Sequence, residues 1–151
     1  MSIDLSSLLP HGKPLSLIEE VLKWNEDSIV AKTMSHTYSD NPLLNNGLLH
    51  PMHSLEYAAQ VMAIHSGLLN ENKKARTMLI GGLRKLSFSS TPLNKYLEPL
   101  TIKAKTQIHS SSGAIYQFSI MCSESQISQG RIILVRQQQP LGKQDDEHSN
   151  S

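Results

Sequence analysis

Apolar residues recur at three- and four-residue steps in one stretch, from Pro51 to about Leu69, where Met52, Leu55, Ala58 or Ala59, Met62, Ala63 and Ser66 make a helical stripe. Pro51 suits a first helical turn and Gly67 lies near the exit. Tyr57, Val61 and Ile64 fall outside that stripe, so this helix is apolar on most sides and is expected to be wrapped by other structure. The remaining apolar runs read as strands. Leu15 to Leu22 is followed by the turn Asn25-Glu26-Asp27-Ser28, and Ile29 to Met34 returns as its hairpin partner. A polar segment, Ser35 to Gly47, then interrupts the sheet. After the helix come Thr77 to Phe88, with a bulge candidate at Gly81-Gly82, then Leu100 to His109, Ala114 to Met121 and Ile127 to Val135, with Ser111-Ser112-Gly113 as a turn. At the other end, Ser2 or Asp4 would cap a short helix through Leu8 and Leu9 that Pro10 stops. Two strands, one buried helix and three or four further strands predict an α+β fold in which a curved antiparallel sheet wraps a single long helix.

Composition narrows what such a domain does. The 151 residues amount to about one domain: residues 1–138 read as a single unit and 139–151 as a disordered tail with nothing to bury. No internal repeat is visible. A net charge of +1 arises from cations spread along the chain without a basic block, which leaves no linear footprint for nucleic acid or anionic lipid. No apolar run reaches the length of a membrane span, and no basic segment followed by an apolar run opens the chain, so a cytoplasmic protein is expected. The lone Cys122 cannot form an intrachain disulfide and reads as a small buried hydrophobe on a strand.

Two blocks carry a resemblance. Leu8-Leu9-Pro10-His11-Gly12-Lys13-Pro14, continuing to Val21-Leu22, resembles the opening of the 3-hydroxyacyl-acyl-carrier-protein dehydratases, and Leu55-Glu56-Tyr57-Ala58-Ala59-Gln60 is similar to their acid-bearing helix. Asn41-Pro42-Leu43-Leu44 resembles the stretch leading into their catalytic loop. The run from Glu56 to His65, with Ser35-His36 and Asp40 to Leu43 upstream, is closer still to the dehydratase-like proteins of aryl polyene gene clusters. The blocks span roughly residues 8 to 69. The resemblance implies a dimeric hotdog fold and dehydration of a 3-hydroxyacyl thioester to a 2-enoyl thioester in fatty acid or polyene-type biosynthesis. An acyl carrier protein is the implied partner. No cofactor is implied beyond the phosphopantetheine of that carrier, or coenzyme A, which holds the substrate.

In that chemistry one base removes the C2 proton, an acid protonates the departing C3 hydroxyl, and donors at the helix start polarise the thioester carbonyl. The resemblance makes Glu56 the helix acid, a carboxylate expected in apolar surroundings that raise its proton affinity. The loop that carries the family's histidine is missing, since only thirteen residues separate Pro42 from Glu56. Candidates to replace that histidine are His36, His50, His53 and His65. His53 shares a helical face with Glu56, and His36 lies in the loop expected to run past the site, whereas His65 is nine positions on and about 180° around. Pro51 stands where the family has a glycine whose N–H serves the oxyanion, leaving the amides of Met52 or His53 for that role. Met52, His50 and Gln60 are the substrate-binding candidates. The spacing His50-x-x-His53-x-x-Glu56 is not a zinc motif, so no metal is expected. Two alternatives stay open: a non-catalytic hotdog subunit whose partner supplies the histidine, as a homodimer or heterodimer, and an acyl thioesterase using the same carboxylate.

Overall fold

The computed structural model describes residues 17–69 and 78–136. The expected N-terminal helix, the block around His11 and the C-terminal tail lie outside these residues. Asn25 makes the first hairpin: its Oδ1 accepts from the backbone N–H of Asp27 at 2.8 Å and of Ser28 at 3.0 Å, turning β1 (Glu20–Trp24) into β2 (Ser28–Thr33). Pro51 opens a 3₁₀ turn, Pro51–His53, that runs directly into α1 (Ser54–Leu69). The helix continues through Gly67. Four strands follow, β3 (Met78–Phe88), β4 (Leu100–Ser110), β5 (Gly113–Cys122) and β6 (Ser125–Arg136), and with the first two they form one antiparallel sheet in the order β1-β2-β4-β5-β6-β3.

Alternation along the strands decides which face meets the helix. Ile29 and Ala31 of β2, Ile102 and Ala104 of β4, and Tyr116, Phe118 and Ile120 of β5 are buried, while their neighbours face outward. These inward residues enclose α1, whose Tyr57, Val61, Met62 and Ile64 are completely buried. This is the expected hotdog arrangement, and the helix is apolar on most sides because the sheet curves around it. Cys122 is buried at the end of β5, its thiol donating to the carbonyl of Glu98 at 3.4 Å.

The bulge expected at Gly81-Gly82 is present as a register shift between Ile80 and Gly82. A second irregularity lies between Arg84 and Ser87, where Lys85 takes φ +51°. β6 begins earlier than its apolar run suggested, because a tight turn with Ser123 at φ +55° returns the chain at once. Among the described residues β3 pairs on one side only, with β6, and Leu79, Ile80 and Leu83 on it are substantially exposed. No helix of the described residues is long and apolar enough to cross a membrane.

Candidate functional site

The segment entering α1 is shaped by a miniature hairpin. Asn45 and Leu48 exchange backbone hydrogen bonds of 2.9 and 3.1 Å around Asn46 (φ +54°) and Gly47 (φ +76°), the paired left-handed geometry of an Asn-Gly hairpin turn. Asn94, in a 3₁₀ turn over Leu93–Lys95, clamps this hairpin from outside. Its Oδ1 accepts from Leu49 N–H at 3.0 Å and its Nδ2 donates to the Gly47 carbonyl at 2.9 Å, while Leu93 N–H donates to the Leu49 carbonyl at 2.8 Å. A cleft of about 520 Å³ opens where the helix start meets the end of β3, lined mainly by apolar groups including Leu48, Pro51, Met52, Phe88 and Pro92, with His50 on its wall.

Two of the expected substrate-binding residues, His50 and Met52, therefore do share a cavity. The amides expected to hold the thioester carbonyl are already engaged within this chain. Met52 N–H donates to His50 Nδ1 at 3.0 Å, and His53 N–H donates to the His50 carbonyl at 2.9 Å. The physical reason is local: a histidine just before a helix start reaches the same orphan donors that a substrate would use.

Glu56 is exposed, which corrects, for the single chain, the expectation of a buried carboxylate in apolar surroundings. The sheet covers α1 from the side of β2, β4 and β5, and the stripe carrying Glu56 with the half-buried His53 and Gln60 is left facing outward. Gln60 is drawn into structure, its Oε1 accepting from Leu17 N–H at 2.8 Å. The next residue round the helix, Tyr57, anchors the pre-helix loop. Asn41 Nδ2 donates to the Tyr57 hydroxyl at 3.1 Å, and Ser35 Oγ donates to the Leu17 carbonyl at 2.7 Å, so the 3.0 Å contact between Tyr57 and Ser35 has the phenol as donor. Burial pushes the Tyr57 phenol above its ordinary range, against the pull of these hydrogen bonds.

His36 does not run past an open site. It lies in a 3₁₀ turn, Ser35–Thr37, packed against Leu93–Lys95, and is fully buried. Burial lowers its proton affinity. The backbone of Tyr96 and Glu98 lies close enough to oppose that shift, but neither ring nitrogen meets a described partner in hydrogen-bond geometry. His65 is also a core residue: its Nε2 donates to the Asn25 carbonyl at 2.8 Å, which leaves Nδ1 to accept from the Tyr116 hydroxyl at 2.7 Å. Trp24 and Tyr116 stand edge-on to its ring. The structure thus places His50 and Met52 on the cleft, His53, Glu56 and Gln60 on the uncovered stripe, and His36 in the interior. Among the described residues no group of three potential metal ligands comes together. Sequence reasoning missed the Asn94 clamp, which has no local signature. It also passed over Asn46-Gly47, whose dipeptide is a strong hairpin signal.

A model of the ApeP-like family, described as ApeP dehydratase, matches residues 3–144. No curated protein sequence matches the chain. Among solved structures, the dehydratase heterocomplex ApeI:P from Xenorhabdus doucetiae is similar with a TM-score of 0.82 at 18% identity, over 92% of this chain and 94% of that one. A hypothetical thioesterase from Streptococcus pneumoniae with coenzyme A gives 0.54 at 13% identity, over 80% and 86% of the two chains. A thioesterase from Haemophilus influenzae gives 0.55 at 18% identity, over 77% and 76%. At such identities these structures establish the hotdog fold.

Proposed function

The chain belongs to the ApeP-like dehydratase family, and on that basis we propose that it dehydrates 3-hydroxyacyl thioesters of an acyl carrier protein as one half of a pair of hotdog subunits. The observation that carries this reading is the uncovered stripe of α1. A carboxylate at position 56 stands exposed next to the half-buried His53, on a helix otherwise enclosed by its own sheet, and a second subunit laid over that stripe would give it the dry surroundings that proton transfer needs. In the reaction the C2–H bond breaks to a base, the C3–O bond breaks as the hydroxyl takes a proton and leaves as water, and the C2–C3 double bond forms with the thioester intact. Glu56 handles one of these protons, with His53 or a histidine of the second subunit as its counterpart. Full burial removes His36 from that role.

The engaged helix-start amides favour division of labour. With Met52 N–H held by the His50 imidazole and His53 N–H by the His50 carbonyl, a swing of the imidazole frees only the Met52 donor, so a partner that supplies donors and histidine completes the site. The neighbouring dehydratase ApeI:P is itself described as a heterocomplex, which supports pairing of this kind. The test is the dehydration rate of a 3-hydroxyacyl thioester by the chain alone and after reconstitution with an active hotdog dehydratase subunit from the same source. Activity is expected on mixing, and Glu56→Gln should lower it about 100-fold or more while the pair still forms. A parental rate for the assembled variant overturns the assignment. Release of free acid in place of an enoyl thioester identifies a thioesterase.

A further inference from the structure

Folding gathers charges that the linear sequence disperses. In β4, Lys103 and Lys105 alternate with the buried Ile102 and Ala104, so both stand on the sheet face turned away from α1. Register extends this into rows. Lys105 pairs with Gln117, Gln117 with Arg131 and Arg131 with Arg84, while Lys103 continues through Val30 to Lys23. Lys32 follows two residues beyond Val30 on the same side. From Arg84 on β3 to Lys23 on β1 the cations span five strand spacings, about 24 Å. Among the described residues the one carboxylate within a strand on this face is Glu20, which sits 3.7 Å from Lys32. Glu26 and Asp27 border the face at the tip of the first hairpin, and the other described acids lie in loops or on α1.

Arg84 directly opposite Arg131 is the sharpest feature of this face. Like charges facing each other across a strand pair destabilise a sheet, and among the described residues no carboxylate is ion-paired with either. By register Arg84 faces Arg131 and Phe88 faces Ser128, three residues or about 10 Å apart along β6, and Phe88, which lines the cleft, stands on the inner face of the sheet, across the open edge of β3 from Arg84. A partner seated on this row reaches that cavity only with an extended arm that passes around the end of β3. Anionic lipid or nucleic acid would be drawn by the same charges, but neither carries an arm to thread from this face to a cleft.

We propose that the outer sheet face built around Arg84, Arg131, Lys103 and Lys105 docks an anionic protein domain, and, resting on the function proposed above, that this domain is the carrier bearing the thioester. Charge complementarity of this kind acts on encounter and orientation and is screened by salt.

The test uses the assembled pair and a fluorescently labelled holo acyl carrier protein of net negative charge. Affinity should fall with rising salt, and the double reversals Arg84→Glu/Arg131→Glu and Lys103→Glu/Lys105→Glu should each weaken binding at least about tenfold. The same variants should process a free pantetheine thioester with parental kcat/KM, which shows that the fold and the chemistry are intact. Parental carrier affinity in both double variants overturns the proposal. So does a loss of binding confined to phosphatidylglycerol vesicles or duplex DNA. If the reversals weaken carrier binding but the pair dehydrates no thioester, the docking surface stands and the catalytic reading falls. If the small thioester is dehydrated while carrier binding is unchanged, the catalytic reading stands and the docking surface falls.

Discussion

His65 spends both ring nitrogens inside the fold, on the Asn25 carbonyl and the Tyr116 hydroxyl, and burial holds its proton affinity below the ordinary histidine range. His36 is shifted in the same direction, again chiefly by burial. For both, the unfolded chain binds protons that the native state refuses, so stability rises with pH through this window. Their contribution is present above about pH 6.5, the ordinary histidine value, and is lost as pH falls below it. Urea denaturation at pH 7.5 and 5.5 should show a clear loss on acidification, at most about 1.4 kcal/mol per pH unit for each group. His65→Gln should flatten that slope. An unchanged slope would mean that His65 is charged in the native state. At this scale the sequence revealed residue identity better than environment. Cys122 is the buried strand residue its type suggests, whereas Glu56, expected in apolar surroundings, is exposed, because enclosure depends on what covers the helix and that is not written in residues 53–60.

Elements were legible where a local rule fixes them. The period of α1, Pro51 in its opening turn, the Asn25 turn and the bulge at Gly81-Gly82 all followed from side-chain spacing or backbone preference. What no local rule encodes is the meeting of Asn94 with Gly47 and Leu49 across more than forty residues, although that contact sets the wall of the cleft. Asn94→Ala removes both hydrogen bonds and should lower stability by about 1–2 kcal/mol. Asn94→Asp keeps the acceptor for Leu49 N–H but loses the donor to Gly47, and should fall between parent and alanine variant. Chemical denaturation ranks the three. Equal stability for all of them would show that the clamp contributes nothing.

For the domain taken entire, the sequence predicted the layered arrangement but not its surfaces. A net charge of +1 with no basic block gave no hint that cations converge on one sheet face, since cross-strand register alone brings Arg84 beside Arg131. The unpaired side of β3 is likewise a property of strand order. Ile80 and Leu83, which pair with the inward-facing Leu134 and Ile132, are 43% and 40% exposed, so the inner sheet face is unfinished at this edge. If a second subunit finishes it, Ile80→Asp/Leu83→Glu should reduce the particle mass measured by light scattering to that of one chain, with strand and helix content retained. A paired mass in that variant would place the contact elsewhere.

An open strand edge flanked by apolar side chains is a template for any strand that comes near it. If the proposed second subunit shields β3, copies produced in excess of it would be the first to clump or to be degraded, and the quantity of this protein a cell tolerates would follow the supply of that subunit. Matched synthesis of the two would then be a requirement of solubility as much as of metabolism.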